Sequence, residues 1–117
     1  MIIIAATIDY ATQEDRDAAV AASLDFQQAT RDDEPGCQAY CFAPDPCVPT
    51  RIQVHEAWDD GASVAAHLKH QNYFNMRETL GKYGLVNAWN QMYLISEQEG
   101  VYDENGQPRE VIFGGRA

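Results

Sequence analysis

Residues 37–58 read CQAYCFAPDPCVPTRIQVHEAW. Polar and apolar side chains alternate on both sides of a proline-rich centre, with the two-residue period of a β-strand. Three prolines lie within residues 44–49, and no helix or central strand could cross such a segment. The stretch therefore predicts a β-hairpin, with strands at 37–43 and 51–58.

A strand and a helix are predicted before this hairpin. Residues 2–9, IIIAATID, form a short run rich in β-branched side chains, which indicates a buried strand. Thr12 precedes acidic residues, as an N-cap does, and the helix is expected to continue to about Arg31. The sequence DDEPG at 32–36 would end it. Its core face would carry Ala19, Val20, Ser23, Leu24 and Gln27.

A second helix and a last strand are predicted after the hairpin. The sequence DDG at 59–61 opens a helix that would continue to about Gly81, and residues 87–96 form a long strand. Asn105-Gly106 is a strong hairpin turn signal, so residues 101–113 are expected to form a C-terminal arm, with Pro108 confining it to an edge.

The element order is therefore β-α-β-β-α-β, which predicts a ferredoxin-like α+β fold with one antiparallel sheet and two helices on one face. Apolar side chains point to both faces of the strands, so the face without helices needs a cover. A second copy of the sheet is the economical cover and would give a homodimeric, closed α/β barrel. We expect one domain over residues 1–96, with residues 97–117 as an arm of the same domain or a dimer contact.

The bulk composition limits the partners and the compartment. With 18 acidic and 8 basic side chains the net charge is −10, which disfavours nucleic acid and membrane surfaces as partners. No apolar run reaches the roughly 20 residues of a membrane helix. An odd number of cysteines without an export signal predicts a cytoplasmic location. Cys37 and Cys41 are interpreted as small buried side chains.

Three segments together resemble one protein family. They are EPGCQAY at 34–40, PTRIQVHEAWDD at 49–60 and AHLKHQNYF at 66–74. Their order and spacing are similar to those of the antibiotic biosynthesis monooxygenase (ABM) family of dimeric α/β-barrel proteins. The resemblance covers about residues 1–96 and implies the homodimer and the barrel.

The resemblance also implies a reaction found in several members, the oxygenation of phenols, hydroquinones or anthrones by O2 without metal, flavin or haem. Haem-degrading relatives carry an asparagine on the first strand, where this chain has Thr7 and Asp9. They also carry a tryptophan at the helix position that His67 occupies here. No cofactor is therefore expected, and the sequence contains no dinucleotide, P-loop or nucleophile-elbow motif.

His67 is the predicted catalytic residue. It lies at the border of the apolar stripe of the second helix, where an imidazole could take a proton from a phenol. The family layout favours Trp58 and Phe74 as residues that flank it and stack on an aromatic substrate. Further substrate-binding candidates are His70, Tyr73, Asn72 and Tyr40.

Two other polar features have structural interpretations. His67 and His70 form an H-x-x-H pair, but no acid lies at the right phase to complete a metal site. Glu56 interrupts an apolar strand face and needs a partner, for which Arg51, Arg77 or a backbone amide is expected.

The leading hypothesis is a cofactor-independent monooxygenase that acts on a small phenolic, quinol or polyketide-like aromatic substrate. An isomerase or lyase that uses the same histidine on a small carbonyl compound is an alternative that would consume no oxygen. A non-catalytic dimeric binding or stress-response protein is a third.

Overall fold

A computed structural model describes residues 1–116. Four strands, β1 (Ile2–Tyr10), β2 (Cys37–Pro44), β3 (Arg51–Trp58) and β4 (Leu85–Leu94), form one antiparallel sheet in the order β2-β3-β1-β4. Three α-helices, α1 (Gln13–Asp33), α2 (Gly61–His67) and α3 (Gln71–Gly81), accompany the sheet. A short 3₁₀ turn spans Phe113–Gly115. The predicted ferredoxin-like α+β architecture is confirmed.

The first helix begins and ends where its sequence signals lie. The Thr12 side chain accepts a hydrogen bond from the Asp15 amide at 3.1 Å, which satisfies one of the free donors of the first turn. After α1 the chain turns sharply at Gly36, whose φ is +86°. A Cβ at this position would lie 2.2 Å from the Ser63 hydroxyl, so only glycine allows β2 to start this close to α2.

The prediction of one continuous second helix is wrong, because the helix is broken at residues 68–70. The side chain of His70 is the N-cap of α3, and its Nδ1 accepts a hydrogen bond from the Asn72 amide at 3.0 Å. The His70 amide in turn donates to the His67 carbonyl at 2.9 Å. A side chain that hydrogen-bonds to a backbone amide competes with the backbone hydrogen bonds of a continuous helix. The apolar periodicity of the sequence does not report this competition, so it predicted a single helix.

The core lies between the helices and one face of the sheet. The sheet contributes Ile8, Tyr10, Tyr40, Ile52, Val54 and Trp58, and the helices contribute Ala19, Val64, Met76 and Leu80. Two expectations about buried side chains fail, because Leu24 is 58% exposed and Cys41 is exposed. Leu24 lies outside the buried stripe of α1, and Cys41 pairs with His55 on the sheet face away from the helices.

The segment after β4 extends away from this core. The Ile95 amide donates to the Met1 carbonyl at 2.9 Å, and further on Tyr102 and Pro108 form an isolated antiparallel bridge around the Asn105-Gly106 turn. The radius of gyration is 16.4 Å, whereas a compact chain of this length is expected at about 13 Å. Among residues 1–116, no helix combines the length and the apolar character needed to cross a bilayer.

Candidate active site

A cavity of about 560 Å³ lies between the helix-facing side of the sheet and the α2–α3 segment. This volume is within the range of roughly 300–1,000 Å³ that small-molecule sites occupy. Most of its wall is apolar and comes from Ile4, Ala6, Ile8, Phe42, Val54, Met76 and Leu80. Residues 88–92 of β4, the exposed strand at the edge of the same sheet, also line it, so the cavity is an open cleft.

His67 borders this cavity as the last residue of α2. Its side chain is almost fully buried, and its Nδ1 lies 2.8 Å from Oε1 of Glu34. Glu34 is buried as well, and its second carboxylate oxygen accepts a hydrogen bond from the Asn72 amide group at 3.3 Å. Glu34 therefore fixes the orientation of the His67 ring.

The hydrogen bond to Glu34 determines what His67 can do. A carboxylate can only accept, so Nδ1 of His67 carries a proton, and in the neutral form of the ring Nε2 is the acceptor. Among residues 1–116, the hydroxyl of Thr30 is the only fully enclosed side-chain nitrogen or oxygen without a partner. Nε2 of His67, which makes no hydrogen bond in this part of the chain, is therefore in contact with the cavity. The pair has the arrangement of a general base held by a carboxylate.

Three aromatic rings enclose the imidazole. The ring centre of His67 is 4.6 Å from that of Trp58, 5.4 Å from Tyr40 and 5.6 Å from Tyr73. Burial raises the pKa of Tyr40 well above its usual range, with a smaller contribution from the charge of Glu56. Tyr40 therefore keeps its proton, and its ring forms part of the cavity wall beside the imidazole.

The predicted substrate-binding residues divide into two groups. Tyr40 and Tyr73 line the cavity together with His67. Trp58 is fully buried against His67, and Phe74 is 47% exposed and stacks edge-on against Tyr73, so neither ring contributes to the cavity wall.

His70 and Asn72 have local hydrogen-bonding roles next to the site. His70 caps α3, and the buried side chain of Asn72 donates to Glu34. Neither residue lines the cavity. Among residues 1–116, no group of three or more His, Cys, Asp or Glu side chains is placed to hold a metal ion.

Glu56 lines the same cavity, and the expectation of an ionic or backbone partner for it is wrong. Arg51 instead pairs with Asp9 at 2.7 Å, on the sheet face away from the helices. Oε1 of Glu56 accepts a hydrogen bond from the indole Nε1 of Trp58 at 3.1 Å. Burial raises the pKa of Glu56 to about 7; the indole hydrogen bond opposes this shift, and the charge of Glu34 adds to it.

Glu34, the hydrogen-bond partner of His67, is the residue of the candidate site that sequence reasoning missed. The carboxylate stands at the C-cap of α1, where the sequence DDEPG indicated only the end of a helix. It lies 33 positions from His67 in sequence. One sequence signal included both Glu34 and His67: each lies in one of the three segments that resemble the family.

The fold is that of a small ferredoxin-like α+β protein, with this cleft between its sheet and the α2–α3 segment. The model of the antibiotic biosynthesis monooxygenase family matches residues 1–79. The chain belongs to this family, and the membership supports a monooxygenase-type function.

Solved structures with low sequence identity share the fold. A candidate antibiotic biosynthesis monooxygenase from Deinococcus radiodurans is 21% identical, with a TM-score of 0.77 over 88% of this chain and 100% of that one. A similar protein from Nitrosomonas europaea is 21% identical, with a TM-score of 0.66 over 83% of this chain and 100% of that one. One from Caulobacter crescentus is 14% identical, with a TM-score of 0.71 over 82% and 91%. Among curated proteins, none matches this sequence.

Proposed function

We propose that this protein is a cofactor-independent monooxygenase that oxidises a small phenolic, quinol or polyketide-like aromatic substrate with O2. The observation that carries the proposal is the His67–Glu34 pair at the border of an apolar cleft, with Nε2 of the imidazole free. Family membership supports the oxygenation chemistry, and the apolar walls suit a flat aromatic molecule.

The reaction begins with proton removal. Nε2 of His67 takes a proton from the substrate, and the carboxylate of Glu34 stabilises the imidazolium that forms. The resulting electron-rich anion passes one electron to O2, and the radical pair recombines into a carbon–oxygen bond. One oxygen atom replaces two hydrogens of the substrate and the other leaves as water. The balance is closed without an external reductant.

The proposal includes a homodimer and a cytoplasmic location. The sheet face opposite the helices carries Ile3, Ala5 and Tyr93, which are partly or fully exposed, and no helix within residues 1–116 packs on it. A second copy of this face would bury these side chains. All three cysteines are free, in keeping with a reducing compartment. The arm at 97–117 is proposed to belong to the same domain or to the dimer contact.

Parallel aerobic and anaerobic incubations with a panel of quinols and anthrones test the proposal. We expect quinone formation and oxygen uptake in air only. Product formed equally without oxygen would favour the isomerase or lyase alternative, and no product in either condition would favour a non-catalytic binding protein. Both outcomes would overturn the proposal.

Two variants test the base and its carboxylate. His67→Gln removes the proton acceptor, and we expect turnover to fall by about 1,000-fold. Glu34→Gln still accepts the hydrogen bond from Nδ1 but lacks the charge that stabilises the imidazolium, so a fall of about 100-fold is expected. Glu78→Gln, on the exposed face of α3, is the matched control and should turn over like the wild type. Wild-type turnover in His67→Gln would exclude this histidine as the base.

A further inference from the structure

Glu56 occupies an unusual position for a carboxyl group. Its side chain is only 7% exposed, lies on β3 and lines the same apolar cleft as His67. Within residues 1–116 no cation pairs with it, and its one hydrogen bond comes from the Trp58 indole. A buried carboxylate without a cation is costly unless it is neutralised by a proton.

The two proton-carrying groups of the cleft, His67 and Glu56, both line it and are both in contact with one buried ring. The Trp58 ring that contacts His67 at 4.6 Å between ring centres also donates its N–H to Glu56. The second oxygen of Glu56 makes no hydrogen bond within the described chain and is not fully enclosed, so it is in contact with the cleft. A substrate that reaches Nε2 of His67 therefore lies in a cleft that also contains a carboxyl group.

We propose that Glu56 is a second catalytic residue of the proposed oxygenation, which protonates the peroxide oxygen and then removes the remaining hydrogen from the oxygenated carbon. The inference rests on the proposed function. It assigns to Glu56 the proton transfers that follow the reaction with O2. His67 cannot act as the base in those transfers because it already carries the first proton.

The protons balance over one turnover of an anthrone-type CH₂ substrate. His67 takes the first proton, and the carbanion combines with O2 to form a peroxide anion. Glu56 gives its proton to the terminal oxygen and becomes a carboxylate. That carboxylate then takes the second hydrogen of the carbon as a proton, the C=O bond forms and the O–O bond breaks. The departing hydroxide takes the proton from His67 and leaves as water, which restores both residues.

The charge environment supports both roles for Glu56. Burial raises its pKa to about 7, so the acid and the carboxylate are both accessible near neutral pH. The titratable and charged groups around it are Glu34, Cys37, Tyr40, His67 and Arg77. Of these, Arg77 is exposed and is not within ion-pair distance of Glu56.

A purely structural role, in which Glu56 only anchors the Trp58 indole, predicts a different result for Glu56→Gln. Glutamine keeps an oxygen that accepts the indole hydrogen bond but has no proton to transfer. The test is a two-stage, single-turnover measurement with anthrone as the probe. Protein and anthrone are mixed without oxygen to form the anthrone anion, and O2 is then added to follow anthraquinone.

We expect Glu56→Gln to form the anion at the wild-type rate and to form anthraquinone about 100-fold more slowly after O2 is added. His67→Gln should fail at the first stage, and Glu78→Gln should behave as wild type at both. In the wild type, the rate of the second stage should fall as the pH rises through about 7, because the acid form of Glu56 is lost, and Glu56→Gln should lack this dependence.

Two outcomes distinguish failure of the role of Glu56 from failure of the proposed oxygenation. Anthraquinone formation at the wild-type rate with an unchanged pH profile in Glu56→Gln would overturn the role of Glu56 and leave the oxygenation intact. No oxygen-dependent product from wild-type protein would overturn the proposed function and the inference together. Normal anion formation in the same Glu56→Gln sample shows that the cleft is folded. Glu56→Asp, which keeps the acid on a shorter side chain, should recover part of the lost rate.

Discussion

β3 and β4 flank the same central strand, yet their environments are opposite. On the first rung of the ladder Ile2 pairs with Trp58 on one side and with Leu94 on the other. Trp58 is fully buried, whereas Leu94 is 79% exposed. Two rungs further, Ile4 pairs with Glu56 and with Met92, which are 7% and 58% exposed.

The contrast between β3 and β4 shows that hydrogen-bond pairing and burial are separate properties of this sheet. Both strands pair with β1 over almost their full length, but the helices cover β3 and leave β4 bare. The cleft lies at this border, with buried titratable groups on the covered side and an exposed apolar strand on the other. The proposed catalytic groups therefore lie on the covered side, where burial raises the pKa of Glu56.

The largest expected effect is on the free energy of unfolding, and it is tested at the two strand partners of Ile2. Trp58→Ala removes a fully buried indole and should lower the free energy of unfolding by about 4 kcal/mol. Leu94→Ala, on the bare side, should lower it by less than about 0.5 kcal/mol. Urea denaturation at one protein concentration measures both. If Leu94→Ala lowers the free energy of unfolding by more than about 2 kcal/mol, the contrast between the two strands is contradicted, and β4 is covered in the assembled protein.

A second prediction concerns the pH dependence of stability on the covered side. The folded pKa of Glu56 is raised from 4.5 to about 7, so between these values the folded protein keeps a proton that the unfolded chain has released. The contribution of Glu56 is therefore complete below about pH 4.5 and is lost as the pH rises to about 7. The loss is on the order of 3 kcal/mol.

Denaturation curves of the wild type and Glu56→Gln at pH 5 and pH 8 check this contribution. The comparison isolates Glu56 because the other titratable groups are common to both proteins. An equal change in stability between the two pH values for both proteins would show that Glu56 is ionised in the folded state at neutral pH.

The smallest expected effect concerns the face away from the helices. Tyr93 lies on this face of β4 and is 46% exposed. If a second copy covers the face, Tyr93→Glu places a charge in the contact and should weaken the dimer by about 10- to 100-fold without unfolding the protomer. Sedimentation at several concentrations measures the dissociation constant, with Leu24→Glu on the exposed side of α1 as the control. Identical, monomeric sedimentation of wild type and variant would remove the dimer from the proposal.

Sequence patterns predicted the elements whose signals are local. The period-two alternation and the flanking prolines located β3 at its observed bounds, and Thr12 marked the start of α1. The break after His67 was missed because it depends on the His70 side chain, which competes with the helical ladder only in its folded geometry. For the same reason, apolar periodicity could not distinguish one helix from two.

The candidate site was predicted less completely than the fold. His67, Tyr40 and Tyr73 were recognised and are brought together at the cleft, where their roles remain a proposal. Glu34 was missed because its contact with His67 joins positions 33 apart through the packing of α1, β2 and α2. The predicted partner of Glu56 was wrong because the alternation of polar and apolar residues along a strand assigns a side chain to one face of the sheet. It does not show which groups of other elements lie within hydrogen-bond distance of that side chain.

The three-residue break between α2 and α3 has a consequence for how this site can vary. On an uninterrupted helix, His67 and Asn72 would project about 140° apart, and one carboxylate could not bond to both. The break lets both side chains converge on Glu34. The length of this short linker therefore sets the helix phase of Asn72 relative to Glu34: adding or removing one residue there would turn the Asn72 side chain away from the carboxylate and leave the contact between Glu34 and His67 with one support fewer.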